Sequence, residues 1–277
     1  MKQTRGFTLI EMAIVLVIVT ILIGGLVMPL SAQIQARRIA ETQKTLAEAR
    51  EAIVGYAMSN TTSPCTCAYT SGVLDSPPTT TCPPSLCSAT YTITGTASLT
   101  LQQRHYLPCP DKLDDGDPAT TDDGDGVEDR VGADCAQSVG YLPWVTLGAA
   151  AQDAWGNRLS YAVTAPFANS STGFSSTDPG NLQVCSASGC ATINVAGDVP
   201  AVLMSYGPNG WGARNVNGST LKDPTSPDEL ENTNTDVNFV SRSPTKSDAT
   251  SGEFDDLVVW ISDGLLKSRV CPAGGCP

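Results

Sequence analysis

Hydrophobic and polar residues divide this chain into three regimes. From Phe7 to Leu30 apolar residues run almost unbroken, with Glu11 the one charged residue among them. As a helix, a run of this length spans a bilayer, which needs about 20 residues. From Ser31 to Ser59 the pattern turns amphipathic. Ile39, Leu46 and Ile53 recur every seven residues, with Ala40, Ala47 and Val54 beside them, while Arg37, Arg38, Glu41, Lys44, Glu48 and Arg50 fill the other faces. Ala, Glu, Gln, Arg and Lys all favour helix, and a single apolar stripe predicts a helix packed on one side. Both segments read as one helix over residues 7–58, roughly 75–80 Å long at 1.5 Å per residue. Gly24, Gly25 and Pro29 mark where its hydrogen bonds would loosen.

Beyond residue 58 the pattern shortens. Residues 59–104 are rich in Thr, Ser, Pro and Cys, with weak alternation at residues 91–94, and read as a surface insert. Over 105–277, Leu159, Tyr161 and Val163 alternate, as do Val202, Met204 and Tyr206. Leu257–Ile261 is a continuous apolar run of the kind expected in a buried strand, and Leu265-Leu266 follows a turn at Asp263-Gly264. These predict strands of an antiparallel sheet. One long helix ahead of a set of strands makes the class α+β.

Charge gives the long helix an orientation. Lys2 and Arg5 precede the apolar run, so the chain after it faces away from the cytoplasm. A secretory signal peptide fits poorly, because the run is too long and no Ala-x-Ala-like cleavage site follows. A plain anchor leaves Glu11 unexplained. A carboxylate within a membrane span costs about 2.5 kcal/mol or more, and such residues are usually paired and functional.

The cysteines point to the same compartment. All ten, Cys65, Cys67, Cys82, Cys87, Cys109, Cys135, Cys185, Cys190, Cys271 and Cys276, lie after residue 60. An even number in a chain rich in Ser, Thr, Pro and Gly favours disulfides in an oxidising setting. Cys109 and Cys135 bracket an acidic loop. Cys185 with Cys190, and Cys271 with Cys276, would close small loops. Cys65, Cys67, Cys82 and Cys87 allow three connectivities. Zinc is disfavoured, since His105 is the only histidine and no CxxC pair repeats.

The residues Gly6-Phe7-Thr8-Leu9-Ile10-Glu11 resemble the processing site of type IV prepilins and pseudopilins. The resemblance implies residues 1–6 as a leader, cut between Gly6 and Phe7 by a membrane peptidase, with Phe7 then N-methylated. It implies that Glu11 pairs with the new amino group of Phe7 on a neighbouring subunit and so sets filament register. It also implies a pilin-like fold, a long N-terminal helix on an antiparallel sheet. Its 7–30 half would form the filament core. Loss of Lys2 and Arg5 would make the formal charge of -12 more negative by two.

Two acidic regions are calcium candidates. Asp122, Asp123, Asp125 and Glu128, with Gly124 and Gly126 among them, resemble calcium loops in composition, although the EF-hand spacing is incomplete. The alternative is a solvated acidic loop. A second resemblance, to the C-terminal half of major pseudopilins of type II secretion, rests on three groups of residues. They are Asp153-Ala154-Trp155-Gly156-Asn157 with Tyr161, Ser205-Tyr206-Gly207-Pro208-Asn209-Gly210, and Asp255-Asp256-Leu257 with Trp260. It implies calcium near Asn209, Asp255 and Asp256. However, Asn209 stands where an acid is expected, and residues 211–253 intervene. The alternative is that Asn209-Gly210 is a turn and the aspartates cap a strand.

Other function classes are disfavoured. The 16 basic residues are outnumbered by 28 acidic ones and concentrate near the N-terminus, which disfavours nucleic acid. One histidine, and no Walker, GxGxxG or HExxH motif, disfavour an enzyme. The sequence therefore predicts a structural filament subunit, in particular a minor pilin. The alternatives are a type II secretion pseudopilin or a filament-tip adhesin. Expected partners are other pilin subunits, the prepilin peptidase/methylase and an inner-membrane assembly platform. The precursor would sit in the inner membrane, and the product in an extracellular pilus or periplasmic pseudopilus.

Overall fold

The computed structural model describes residues 8–63, 65–76, 80–82, 86–87, 95–101, 103–112, 124–271 and 276; the side chains of 23–30 and 100–101 are not described. The alternation expected at residues 91–94 lies outside the described residues.

One helix, α1 (Leu9–Ser59), holds 51 residues and is about 75 Å long. Its buried stripe runs Thr42, Leu46, Ala49, Ile53 and Ala57, in steps of three and four. That is the 3.6-residue period of a helix pressed on one surface. Leu46 and Ile53 were legible from their spacing. Ala40 and Ala47 are exposed and Ile39 is only half-buried: Ala40 lies nearly opposite Thr42, and Ala47 about 100° round from Leu46 on the solvent side. Val54 is buried, near the end of the helix where the body closes over it. Nearer the start, Leu9, Ile10, Ile14, Val15, Leu16 and Leu22 are each more than half exposed, on all sides of the helix. Among the described residues no helix is long and apolar enough to cross a membrane; described side chains stop at Leu22 and resume at Ser31.

The insert forms a small three-stranded sheet from β1 (Cys65–Thr70), β2 (Val73–Leu74) and β3 (Thr96–Leu101), in the order β2-β1-β3. Cys67, Tyr69, Cys82 and Cys87 make its own core, separate from that of the body. At its base Thr62 N donates to Arg104 O at 2.7 Å, and Arg104 N donates to Thr62 Oγ1 at 3.0 Å.

The body opens with a ribbon, β4 (Arg130–Val131) and β5 (Asp134–Cys135), followed by β6 (Val139–Tyr141), α2 (Trp144–Leu147), β7 (Ser160–Val163) and α3 (Ala165–Ala168). Then come β8 (Leu182–Cys185), β9 (Ala196–Val199), β10 (Ala201–Ser205), α4 (Pro227–Glu231), β11 (Asn238–Val240), β12 (Leu257–Ile261) and α5 (Asp263–Val270). The main sheet is antiparallel, in the order β12-β10-β7-β6. Leu159, Tyr161, Val163, Ala201, Leu203 and Ile261 face Leu46, Ala49, Ile53 and Ala57 of α1 in one core. Ala162 and Val202 face the other way, onto Leu182, Val184 and Phe239 of the smaller sheet β11-β8-β9. Within that smaller sheet β8 and β11 run parallel. Coverage on both faces is why every residue of β10 is buried. The chain is thus α+β and pilin-like, a long helix packed on an antiparallel sheet with disulfide-closed excursions.

Two expectations are corrected. Leu265-Leu266 belongs to helix α5, not to a strand. Asp263 and Lys267 form an i,i+4 ion pair at 2.8 Å, and Leu266 and Val270, also four apart, both face the core. The run Leu257–Ile261 is only partly buried up to Trp260, because β12 is the edge of its sheet.

Candidate functional site

Two places concentrate unusual chemistry. The first is the start of α1. Thr8 is its N-cap. Its side chain accepts from Glu11 N, while Glu11 Oε2 accepts from Thr8 N and Thr8 Oγ1, both at 2.8 Å. This is a capping box, of the Thr8-x-x-Glu11 pattern, and it gives Glu11 a partner within its own chain. Glu11 therefore has a local role in its own chain, satisfying the first turn of a helix whose other nearby side chains are apolar and exposed. Gly6 and Phe7 lie outside the described residues.

The second place is where the edge of the sheet meets the excursion at residues 211–253. Asp255 and Asp256 sit just before β12, Asn209 in the turn after β10, and Glu229 on α4. Oxygens of Glu229, Asp255 and Asp256 all lie within 4.8 Å of one another. Asn209 N donates to Asp255 Oδ2 at 3.1 Å, and Asn209 Nδ2 donates to Glu229 Oε1 at 3.2 Å. Asp255 N also donates to Glu229 Oε1, at 3.1 Å, and Asn232 Nδ2 donates to Asp256 Oδ2 at 2.8 Å. Gly207 permits this packing. It has φ +61°, and a β-carbon there would overlap the Asp255 carbonyl.

Electrostatics at this cluster are adverse to three free carboxylates. Burial pushes Asp255 up to about 7, with Glu229 and Glu253 adding to the rise. Burial likewise raises Glu229, and raises Asp256 well above the ordinary carboxylate range. Glu229 Oε2 and Asp255 Oδ1 are buried without a hydrogen-bond partner. Oxygen-only donors of this kind suit a hard cation such as calcium, and the two unpartnered oxygens fit one.

Asn209 and the two aspartates therefore lie together. Ser205 and Asp153 also meet. Ser205 Oγ donates to Asp153 Oδ2 at 2.7 Å, and Asp153 Oδ1 accepts from Trp155 N and Asn157 N. Sequence reasoning missed Glu229. It is 26 residues from Asp255, within a segment that offered no motif.

The first acidic loop does not converge in its described part. Asp125 is exposed and accepts from Val127 N, as in an Asx turn. Glu128 turns away from it. Tyr56 donates to Glu128 Oε1 at 2.7 Å, and Cys109 N and Arg130 occupy Oε2. Glu128 is thus committed to the body rather than to a cation. Asp122 and Asp123 lie outside the described residues.

All ten cysteines are paired, as Cys65–Cys82, Cys67–Cys87, Cys109–Cys135, Cys185–Cys190 and Cys271–Cys276. Cys67, Cys82 and Cys87 sit close together, but their sulfurs are used in these bonds and are not thiolate ligands.

Residues 1–27 match the family model described as the prokaryotic N-terminal methylation motif. The chain therefore carries a type IV prepilin-type N-terminus, which marks a structural subunit made for peptidase processing and assembly with other pilins. No curated protein and no solved structure matches the chain significantly.

Proposed function

We propose that this chain is a minor pilin, inserted in the inner membrane as a precursor and assembled into an extracellular type IV pilus through an inner-membrane platform. The observation that carries this reading is the first part of α1. Its apolar side chains from Leu9 to Leu22 are exposed around the helix, inside a methylation motif and next to Glu11. Exposed apolar surface of that extent needs lipid first and other helices later. The cut falls between Gly6 and Phe7, and Glu11 pairs with the Phe7 amine of a neighbouring subunit. Gly6→Ala should leave the leader attached in intact mass spectra of the membrane fraction. A normally trimmed, methylated N-terminus in that variant would overturn the processing assignment.

A pseudopilin of type II secretion is the second reading, favoured by the meeting of Asn209, Asp255 and Asp256 around unpartnered oxygens. On either reading calcium is the cofactor we assign to that cluster. It would supply charge neutralisation and a structural tie, with no chemical step. Imaging a tagged chain separates the two, since surface filaments support the pilus and periplasmic confinement the pseudopilus.

A further inference from the structure

The segment between Trp211 and Glu253 leaves the main sheet after β10 and returns at β12. It carries α4 and β11, and α4 comes back to the point where the excursion starts and ends. We propose that Glu229 of α4 is the third carboxylate ligand of a divalent cation held with Asp255 and Asp256, and that this cation locks the excursion to the sheet edge. The inference rests on the assignment of calcium to Asp255 and Asp256, and adds a ligand and a role to it.

Glu229 is only 1% exposed, and its Oε2 has no partner. Its Oε1 is anchored by Asn209 Nδ2 and Asp255 N, which aims the carboxylate at the two aspartates. Asp255 shows the same division, with Oδ2 anchored by Asn209 N and Oδ1 unpartnered. An unpaired buried anion is costly, and two facing each other more so. Arg242 relieves Glu229 only as the smallest of the influences on it, well behind burial. Arg242 is committed to Asp228 at 2.6 Å, to Thr245 Oγ1 and to the Ser251 carbonyl. That ion pair does something else, fixing α4 by the residue next to Glu229.

Asn209 is not a substitute ligand. Its amide nitrogen points at Glu229, and its oxygen accepts from Trp211 N at 2.9 Å. Glu229 thus brings the negative charge that Asn209 lacks. It brings it from within the excursion, so binding energy at the site becomes energy holding the excursion in place.

The test uses the full-length chain in detergent, stripped of metal. Calcium titration calorimetry is paired with hydrogen exchange over residues 212–252 and with melting temperature, for wild type and Glu229→Gln. We expect wild type to bind calcium, to melt at higher temperature with it and to gain protection in 212–252. Glu229→Gln should bind at least tenfold more weakly and lose that protection. Without calcium it should melt no lower than wild type, because a like charge has been removed. Equal calcium binding by the two proteins would overturn the role of Glu229 and leave Asp255 and Asp256 as ligands. A variant that melts lower without calcium yet binds equally would make Glu229 a structural residue only. No calcium binding by wild type would overturn the cation assignment itself.

Discussion

Tyr56, in the last turns of α1, donates its hydroxyl to Glu128 at 2.7 Å, across 72 residues of chain. Glu128 also accepts from Cys109 N and pairs with Arg130 at 2.9 Å. Arg130 in turn donates to the carbonyls of Ala168 and Ala133 and lies over the Tyr106 ring. One carboxylate thus ties the long helix to the loop closed by Cys109–Cys135 and to the end of α3. It is a polar clasp at the end of an otherwise apolar interface, next to Ile53 and Ala57.

Removing one side of this clasp should cost much more than removing the other. Glu128→Ala leaves the Arg130 guanidinium partly buried without its anion, a loss of about 3–5 kcal/mol by comparison with other broken buried pairs. Tyr56→Phe removes one hydrogen bond and keeps the ion pair, a loss of about 1 kcal/mol. Denaturant unfolding of the detergent-solubilised chain measures both. Equal effects would mean that the ion pair adds nothing beyond the hydroxyl contact.

Glu128 also indicates where sequence reading stops. Read in place, Asp-Gly-Asp-Gly-Val-Glu has the composition of a calcium loop, and nothing nearby in sequence names Tyr56 as a partner. The same limit hid Glu229, whose meaning depends on a contact 26 residues away with Asp255. Local periodicity, by contrast, survived. Leu46 and Ile53 are buried at their expected spacing, β7 and β10 lie on the alternations read for them, and β12 lies on the continuous apolar run, because helix and strand periods are set by the backbone itself. The apolar pair Leu265-Leu266 was too short for a period to separate strand from helix.

The insert should respond to reduction separately from the body. Its core consists of Cys67, Tyr69, Cys82 and Cys87, and its two disulfides close sequence separations of 17 and 20 residues. A loop of about 15 residues closed by a disulfide gains roughly 3 kcal/mol, which for so small a core is most of its stability. The paired substitution Cys67→Ala with Cys87→Ala should raise hydrogen exchange across residues 65–70 and 96–101. Exchange in β7 and β10 should stay within error of wild type. Faster exchange in β10 would mean that the insert supports the body.

Acidity should stabilise the cation-free chain within one window. Asp111 is fully buried, and burial pushes its carboxyl up to about 7, with Asp129 and Asp125 adding to the rise against the N–H groups of Gly124 and Gly126. Its folded value lies above the unfolded value of about 3.9, so the folded state binds the proton more tightly. Stability from this group is complete below about 4, falls as pH rises toward 7, and is level above that. In chelator, melting temperature should fall from pH 5 to pH 7.5, and Asp111→Asn should flatten that slope even though it loses one acceptor. An unchanged slope would assign the dependence to other carboxylates such as Asp255, which shifts in the same direction.

Glu11 has a partner in its own chain, and the proposed one in the next chain must act beyond it. Thr8 and Glu11 close a capping box, which satisfies backbone donors of the first turn. If that cap were the whole role of Glu11, Thr8→Val and Glu11→Ala would impair assembly equally. Pairing with the Phe7 amine of a neighbour makes a different demand. Thr8→Val leaves the carboxylate in place and should reduce filament incorporation only slightly, whereas Glu11→Ala removes the charge and should reduce it severely. Both variants should fractionate with membranes as wild type does, since the apolar run is untouched. Quantitative blotting of sheared filaments against membrane pools measures the difference. A defect of equal size in the two variants would confine Glu11 to capping its own helix.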